Sequence, residues 1–171
     1  IIKTLSGLKE NDLVVFAISG GGSTLLCQPA SQKLRRGEPQ NMTCADEAKI
    51  FSCLSAAGAT IEEINTLRKH LSLARGGYLA KYAYPARAVS LIFSDVPGDK
   101  LEFVASGPTA RDSTTAEDAK RVIRKYDLEN LCGFKIGELI ETPKEDKYFK
   151  NVSNVLIVSN RTALGAMADE A

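Results

Sequence analysis

Three short apolar runs, each breaking at once into a turn of small or polar residues, constrain this chain more than any other feature. Leu13-Val14-Val15-Phe16-Ala17-Ile18 passes into Ser19-Gly20-Gly21-Gly22-Ser23-Thr24. Ala88-Val89-Ser90-Leu91-Ile92-Phe93 passes into Ser94-Asp95-Val96-Pro97-Gly98-Asp99, and the run from Val152 to Val158 passes into Ser159-Asn160. Runs this short, rich in β-branched and aromatic residues, suit strands, and the first two suit strands buried on both faces. Helical patterns separate them, so the expected fold is α/β with a parallel, layered sheet. Ligands of such sheets bind beyond the carboxyl ends of the strands. The pattern therefore gathers hydroxyls, bare backbone amides and the carboxylates of Asp95 and Asp99 along one sheet edge.

The helices carry their own signals. Thr43 opens one, with Asp46 and Glu47 early and Ile50, Leu54 and Ala57 apolar, stopping at Gly58. Thr60-Ile61-Glu62-Glu63 is a capping box, and Ile61, Ile64, Leu67 and Leu71 then share one face. Tyr78 to Tyr84 reads as a short helix ended by Pro85. Thr114-Thr115-Ala116-Glu117 reads as a second box opening a helix to about Tyr126, and Ser159-Asn160 caps a last one. Residues 27–42, polar and carrying Lys33, Arg35 and Arg36, read as a loop and as the most mobile stretch.

Composition removes several functions. The 171 residues are 44% hydrophobic and 25% charged, enough for one α/β domain with a real core. With 22 Lys and Arg against 21 Asp and Glu, no nucleic-acid footprint is visible. No apolar run is long enough to span a bilayer, and no leader pattern follows Ile1. One histidine, His70, excludes a two-histidine zinc site. Cys27, Cys44, Cys53 and Cys132 form no CxxC pair, so they read as reduced structural thiols and the chain as cytoplasmic.

The triple glycine has a clear physical use. Without Cβ atoms, backbone N–H groups can close on an anion, and the following helical turn adds further free N–H groups. Ser19, Ser23 and Thr24 add hydroxyls. A dinucleotide GxGxxG or a GxSxG elbow would need glycine where Leu25 stands, and no Walker lysine follows. The choice between an anion cradle and a tight strand-to-helix turn stays open. Asp95 could hold Mg²⁺ or accept a proton from a hydroxyl, or serve as a turn carboxylate. Helical angles put Arg68, and Arg75 beyond it, at the edge of the apolar stripe, within reach of an anion or with stems lying along the core. Lys69 and His70 point away from that stripe, and His70 reads as a surface or internally satisfied histidine.

Six stretches together resemble a known family. They are residues 18–23, Ser55 to Ser72 with Asn65-Thr66-Leu67-Arg68-Lys69-His70 inside it, 94–99, Ala105-Ser106-Gly107-Pro108-Thr109, Glu141-Thr142-Pro143 and Ser159-Asn160-Arg161. In this order they resemble the glycerate kinases that carry a C-terminal MOFRL domain. The resemblance implies ATP-dependent phosphorylation of D-glycerate to 2-phosphoglycerate with Mg²⁺, in the cleft of a two-domain enzyme. It implies a Rossmann-like parallel sheet with helices on both faces, residues 1–171 being the central part of the N-terminal domain. Carried over, Ser19, Gly20, Gly21, Gly22, Ser23, Ser106, Gly107 and Asn160 would bind phosphate or nucleotide. Asp95 would stand near the metal and the substrate hydroxyl, with Arg68 and Lys69 as anion-binding catalytic candidates. The partner is a small molecule, not nucleic acid or membrane, and a homo-oligomer is left open. Residues 27–42 look like an insertion, and Arg75-Gly76-Gly77-Tyr78 stands where the family has Lys-Gly-Gly and a polar residue. The family's N-terminal lysine-bearing segment and its C-terminal domain find no match, so the expectation is an incomplete, inactive fragment. The alternatives are a non-catalytic phosphate- or nucleotide-binding domain and an oxidoreductase on hydroxypyruvate.

Overall fold

The computed structural model describes the chain except residues 31, 34–38, 41, 134–135 and 171. Residues 31, 34–38 and 41 of the basic loop, Arg35 and Arg36 among them, lie outside the described residues, and so does the expectation of mobility there. Strands β1 (Leu13–Ser19), β2 (Arg87–Phe93) and β3 (Val152–Val158) form a parallel sheet in the order β1-β2-β3. Leu13 pairs with Arg87 and Ser19 with Phe93, so the first two strands end level. Between β2 and β3 the register slips at Ile92 and Phe93, which brings Val158 opposite Phe93. A two-stranded antiparallel pair, 32–33 with 39–40, lies between β1 and the first long helix.

Beyond a single helical turn at Ile2–Leu5, the α-helices among the described residues are α1 (Cys44–Ala56), α2 (Ile61–Leu71), α3 (Tyr78–Ala83), α4 (Ala116–Lys125), α5 (Leu128–Cys132) and α6 (Asn160–Asp169). Thr43 and Thr60 cap α1 and α2 in reciprocal boxes with Asp46 and Glu63. The box expected at Thr114 and Glu117 sits one residue on, at Thr115 and Asp118. The Thr114 hydroxyl is committed elsewhere, donating to Asp112 Oδ1 at 2.8 Å.

The main core lies among α1, α2, α4 and α5, from Ile50, Phe51, Leu54, Leu67, Leu71, Val122 and Leu128. A second, smaller cluster of Ile18, Ile92, Val104 and Ala105 plugs the carboxyl ends of β1 and β2. β1 is not buried on both faces: Leu13 and Val15 are exposed, and only Ile18 is buried. Leu13, Val15 and Ala17 point to one face of the sheet and are exposed, while Val14, Phe16 and Ile18 point to the other and are partly or fully buried, so only one face of this strand is covered.

Two further expectations change. Cys27 and Cys44 form a disulfide, while Cys53 and Cys132 are free. The sequence separation of 17 carries no pairing signal, and only the fold of the chain after the glycine turn brings the two sulfurs together. Lys69 and His70 are fully buried, because α2 is covered on its second face as well as on its apolar stripe. No described helix is long and apolar enough to cross a membrane.

Candidate active site

The three strand ends come together as the sequence pattern requires. Gly20 N–H donates to Phe93 O at 3.0 Å, and Ser94 N–H donates to Val158 O at 2.8 Å. The sheet ladder thus continues one step past each strand and fixes the three turns side by side. Asn160, in the first turn of α6, donates from its side-chain amide to Asp95 O at 3.3 Å and ties the second turn to the third. Ser159 caps α6 through Thr162.

Glycine is required at two points of the first turn for different reasons. A Cβ on Gly20 would fall inside the Asp95 carboxylate, so Asp95 can lie on the turn only because residue 20 has no side chain. Gly21 has φ +72°, the left-handed region, and turns the chain into the short 3₁₀ helix Gly22–Thr24. Asp95 itself is exposed. A solvent-facing carboxylate thus lies directly on a run of bare backbone.

Ser23 is gripped by two arginines from the far side. Arg68 Nη1 donates to Ser23 Oγ at 3.1 Å, and its guanidinium stacks over the Phe51 ring at 4.3 Å. Arg75 Nη2 donates to Ser23 O at 2.5 Å, while its Nη1 pairs with Glu47. Arg75 is 2% exposed and Glu47 1%. Burial pushes the Arg75 guanidinium down to about 10, still ionised at neutral pH, and lowers that of Arg68 as well. These groups line a cavity of about 470 Å³ that also takes in the Cys27–Cys44 bridge. Glu47 was legible only as an acid in the first turn of a helix; its pairing with Arg75, from another element, was not.

Ser106 and Gly107, for which the resemblance implies phosphate or nucleotide binding, make their contacts within the fold. Ser106 is fully buried, and its hydroxyl donates to Asn65 Oδ1 at 2.7 Å. Its carbonyl accepts from Gly76 N–H at 2.9 Å, and the Gly107 carbonyl accepts from Gly77 N–H at 2.8 Å. Ala105, Ser106 and Gly107 have φ of 49°, 60° and 59°, three left-handed residues in succession, two of them with side chains. Such backbone is strained and persists where its surroundings hold it. Here it is clamped by α2 and the 76–77 peptide and packs against the Gly22–Thr24 turn. Its observed contacts brace the glycine turn.

Lys69 is likewise committed to the interior. Its ammonium lies 2.5 Å from Asp112 Oδ1 and 3.5 Å from Glu102. Burial works to raise the Asp112 carboxyl, but the charge and hydrogen bond of Lys69, with the bonds from Thr114, hold it below the ordinary range. His70 Nδ1 meets Ile140 O at 2.8 Å and Nε2 meets Thr114 Oγ1 at 3.2 Å. Of the cationic candidates, Arg68 reaches the glycine turn and Lys69 is held in this network. Asp112, on which the network centres, carries no signal readable before folding.

The donor set suits Mg²⁺ only in company with a ligand. Among the described residues no three His, Cys, Asp or Glu side chains cluster closely enough to hold a metal themselves. Mg²⁺ usually takes one or two carboxylates, completing its shell with water and substrate phosphate. Asp95, exposed on the glycine turn, fits that role. Free amides, one carboxylate and the half-buried Arg68 guanidinium together can position phosphate and neutralise its charge.

Comparison with known proteins agrees with this geometry. A family model described as a domain of unknown function, DUF4147, matches residues 1–141. A relative named D-glycerate 2-kinase, from Thermotoga maritima, is 43% identical over 144 residues, covering 84% of this chain and 32% of its own length. A provisionally named hydroxypyruvate reductase from Agrobacterium vitis is 46% identical over 146 residues, covering 84% and 31%. The crystal structure of a glycerate kinase from Thermotoga maritima superposes with a TM-score of 0.79 at 38% identity, covering 99% of this chain and 39% of that one. The chain therefore spans about a third of the length of the curated relatives it matches. A matching model over most of the residues, and a matching fold over nearly all of them, place the chain in the DUF4147 family and, within it, among sequences similar to the N-terminal part of the glycerate kinases.

Proposed function

We propose that this chain forms the phosphate-handling part of a kinase that transfers a phosphoryl group from ATP to the 2-hydroxyl of D-glycerate. The observation that carries the reading is the Asp95 carboxylate lying on Gly20, beside the free amides of the glycine turn. The similarity to proteins named glycerate kinase supplies the substrate. Phosphoryl transfer asks little covalent chemistry of a protein and much placement and charge neutralisation.

In this reading the backbone N–H groups of Gly21 to Ser23 cradle phosphate oxygens, the Gly20 N–H being held by Phe93 O. Asp95 would hold Mg²⁺, which supplies charge neutralisation on the transferred group. Asp95 would also accept the proton of the attacking hydroxyl. Arg68 adds positive charge next to Ser23. Asn160 and the Ser106–Gly107 turn hold the loops bearing these groups, and Lys69 anchors α2 through Asp112. The setting we infer is the cytoplasm, where ATP is supplied, with a small hydroxy acid as partner rather than nucleic acid or a membrane. The near-neutral charge supports the small partner. The rest of the catalytic cleft would come from protein outside residues 1–171, and a MOFRL domain is the candidate.

The test is a coupled ADP-release assay on the full-length protein with D-glycerate, alongside NADH consumption with hydroxypyruvate. ADP release supports the kinase; NADH oxidation without ADP release overturns it in favour of a reductase. Leu25, where a dinucleotide fingerprint would need glycine, speaks for the first outcome. Asp95→Asn should abolish turnover in a folded protein, and retained turnover removes Asp95 from the mechanism.

A further inference from the structure

The cavity behind Ser23 has a disulfide in its wall. Cys27 and Cys44 line it and are joined, Cys44 exposed and Cys27 half-buried. Where thiols are kept reduced, as in the cytoplasm inferred above, a disulfide is usually transient and redox-sensing rather than structural. One open to solvent is also the kind that exchanges with other thiols. The remaining cysteines, Cys53 and Cys132, are free, and burial pushes the Cys132 thiol up to about 12. The bridge touches the buried charge pair that holds the glycine turn. Cys27 Sγ lies 3.2 Å from Glu47 Oε2. In the bridge that sulfur carries no proton; as a thiol it has one to donate to the carboxylate. Glu47 pairs with Arg75, and Arg75 donates to Ser23 O. Cys27 also follows closely on Ser23 in the chain, and the Leu25 and Leu26 N–H groups both donate to Gly22 O. The bonding state of one sulfur thus reaches the turn twice, through Glu47 and Arg75 and along the backbone.

We propose that Cys27 and Cys44 are a thiol–disulfide exchange site through which small thiols of the glutathione class set how firmly the glycine turn is held. The consequence for ATP rests on the kinase reading. A thiolate attacks the exposed Cys44 Sγ and forms a mixed disulfide; the S–S bond to Cys27 breaks, and Cys27 leaves with the electron pair and takes a proton from water. A second thiolate attacks the small-molecule sulfur of the mixed disulfide and releases Cys44, which is protonated in turn. Two small thiols are oxidised to one disulfide while the protein's disulfide is reduced to two thiols. The bridged state ties the end of the glycine turn to the start of α1, so the amides of Gly21 to Ser23 stay in place for an anion. Opening the bridge removes the tie and turns the new Cys27 proton onto Glu47, the partner of Arg75.

The test equilibrates the full-length protein in graded mixtures of reduced and oxidised glutathione, alkylates its thiols, and reads the state of Cys27 and Cys44 from peptide masses. The bridge should open and close reversibly in the folded protein. The reduced form should show a KM for ATP raised about fivefold or more, the low end of coupling between linked sites, and reoxidation should restore it. Cys44→Ser should hold the raised value in every mixture. A bridge that does not form, or that opens only when the protein unfolds, would overturn the proposal. So would equal KM for ATP in the two states, or a redox response that survives in Cys44→Ser. Hydrogen exchange of the wild type in both states needs neither a variant nor turnover. Amides across residues 20–27 should exchange faster in the reduced form, and equal rates would overturn the proposal. If neither state releases ADP, the kinase reading fails by itself, and hydrogen exchange still decides whether the bridge governs the turn.

Discussion

Glu47 and Arg75 test whether the glycine turn is held by a buried charge pair. Both side chains are 2% exposed, they are partners in an ion pair, and Arg75 also donates to Ser23 O. Glu47→Ala leaves the guanidinium buried and unbalanced. Breaking a buried pair by removing one partner costs about 3–5 kcal/mol. Replacing both with apolar residues of similar volume, Glu47→Leu with Arg75→Met, removes the charge altogether. What then remains is the Ser23 carbonyl without its donor, about 1–3 kcal/mol. The double variant should therefore be more stable than Glu47→Ala, despite carrying one more substitution. Urea unfolding of wild type, Glu47→Leu, Arg75→Met and the double variant measures this as an interaction energy, with Glu47→Ala alongside. Costs that simply add would refute charge compensation and leave packing as the whole effect. A cost below about 1 kcal/mol for Glu47→Ala, the range of exposed pairs, would refute the burial argument itself.

Gly20→Ala should lower stability by only about 1 kcal/mol, since the exposed Asp95 side chain can rotate aside. A carboxylate displaced by about 1 Å should still cost about 100-fold in kcat/KM for ADP release, and wild-type turnover would contradict the role given to Asp95. Burial pushes His70 below its ordinary range, against the pull of Ile140 O, Asp112 and Glu141, so it is neutral when folded and gains its proton on unfolding. Stability should then fall as pH drops from about 7.5 to about 5.5, through the unfolded value near 6.5, and a flat profile of urea midpoints would refute it. The Cys27–Cys44 bridge closes a loop with a separation of 17, so Cys27→Ser should cost oxidised protein about 3 kcal/mol and reduced protein little. Equal urea midpoints for wild type and variant under oxidising conditions would count against the bridge.

Local chemistry by itself determined much of this protein. The three β-rich runs, their glycine and polar turns, and the threonine caps of α1 and α2 follow from side-chain sterics and hydrogen bonding within a few residues. Parallel strands then had to deliver their turns to one edge, which is why the place of the site was legible before its geometry. The helical angle of Arg68 is a local property, and it turns the side chain toward the glycine turn, where Nη1 donates to Ser23 Oγ.

Only the tertiary structure decided which turn residues matter and to what. Gly20 reads like any turn glycine until Asp95, seventy-five residues on, is laid over it. Periodicity turned Lys69 and His70 outward from one apolar stripe, but it could not register a second covering layer, nor that Asp112 and Thr114 would be carried in to pair with them. Cys27 and Cys44 met for the same reason, and so did Glu47 and Arg75. Pairing across distant segments is set by how layers stack, and a charge becomes a buried partner or a free one only once that stacking has excluded water from around it.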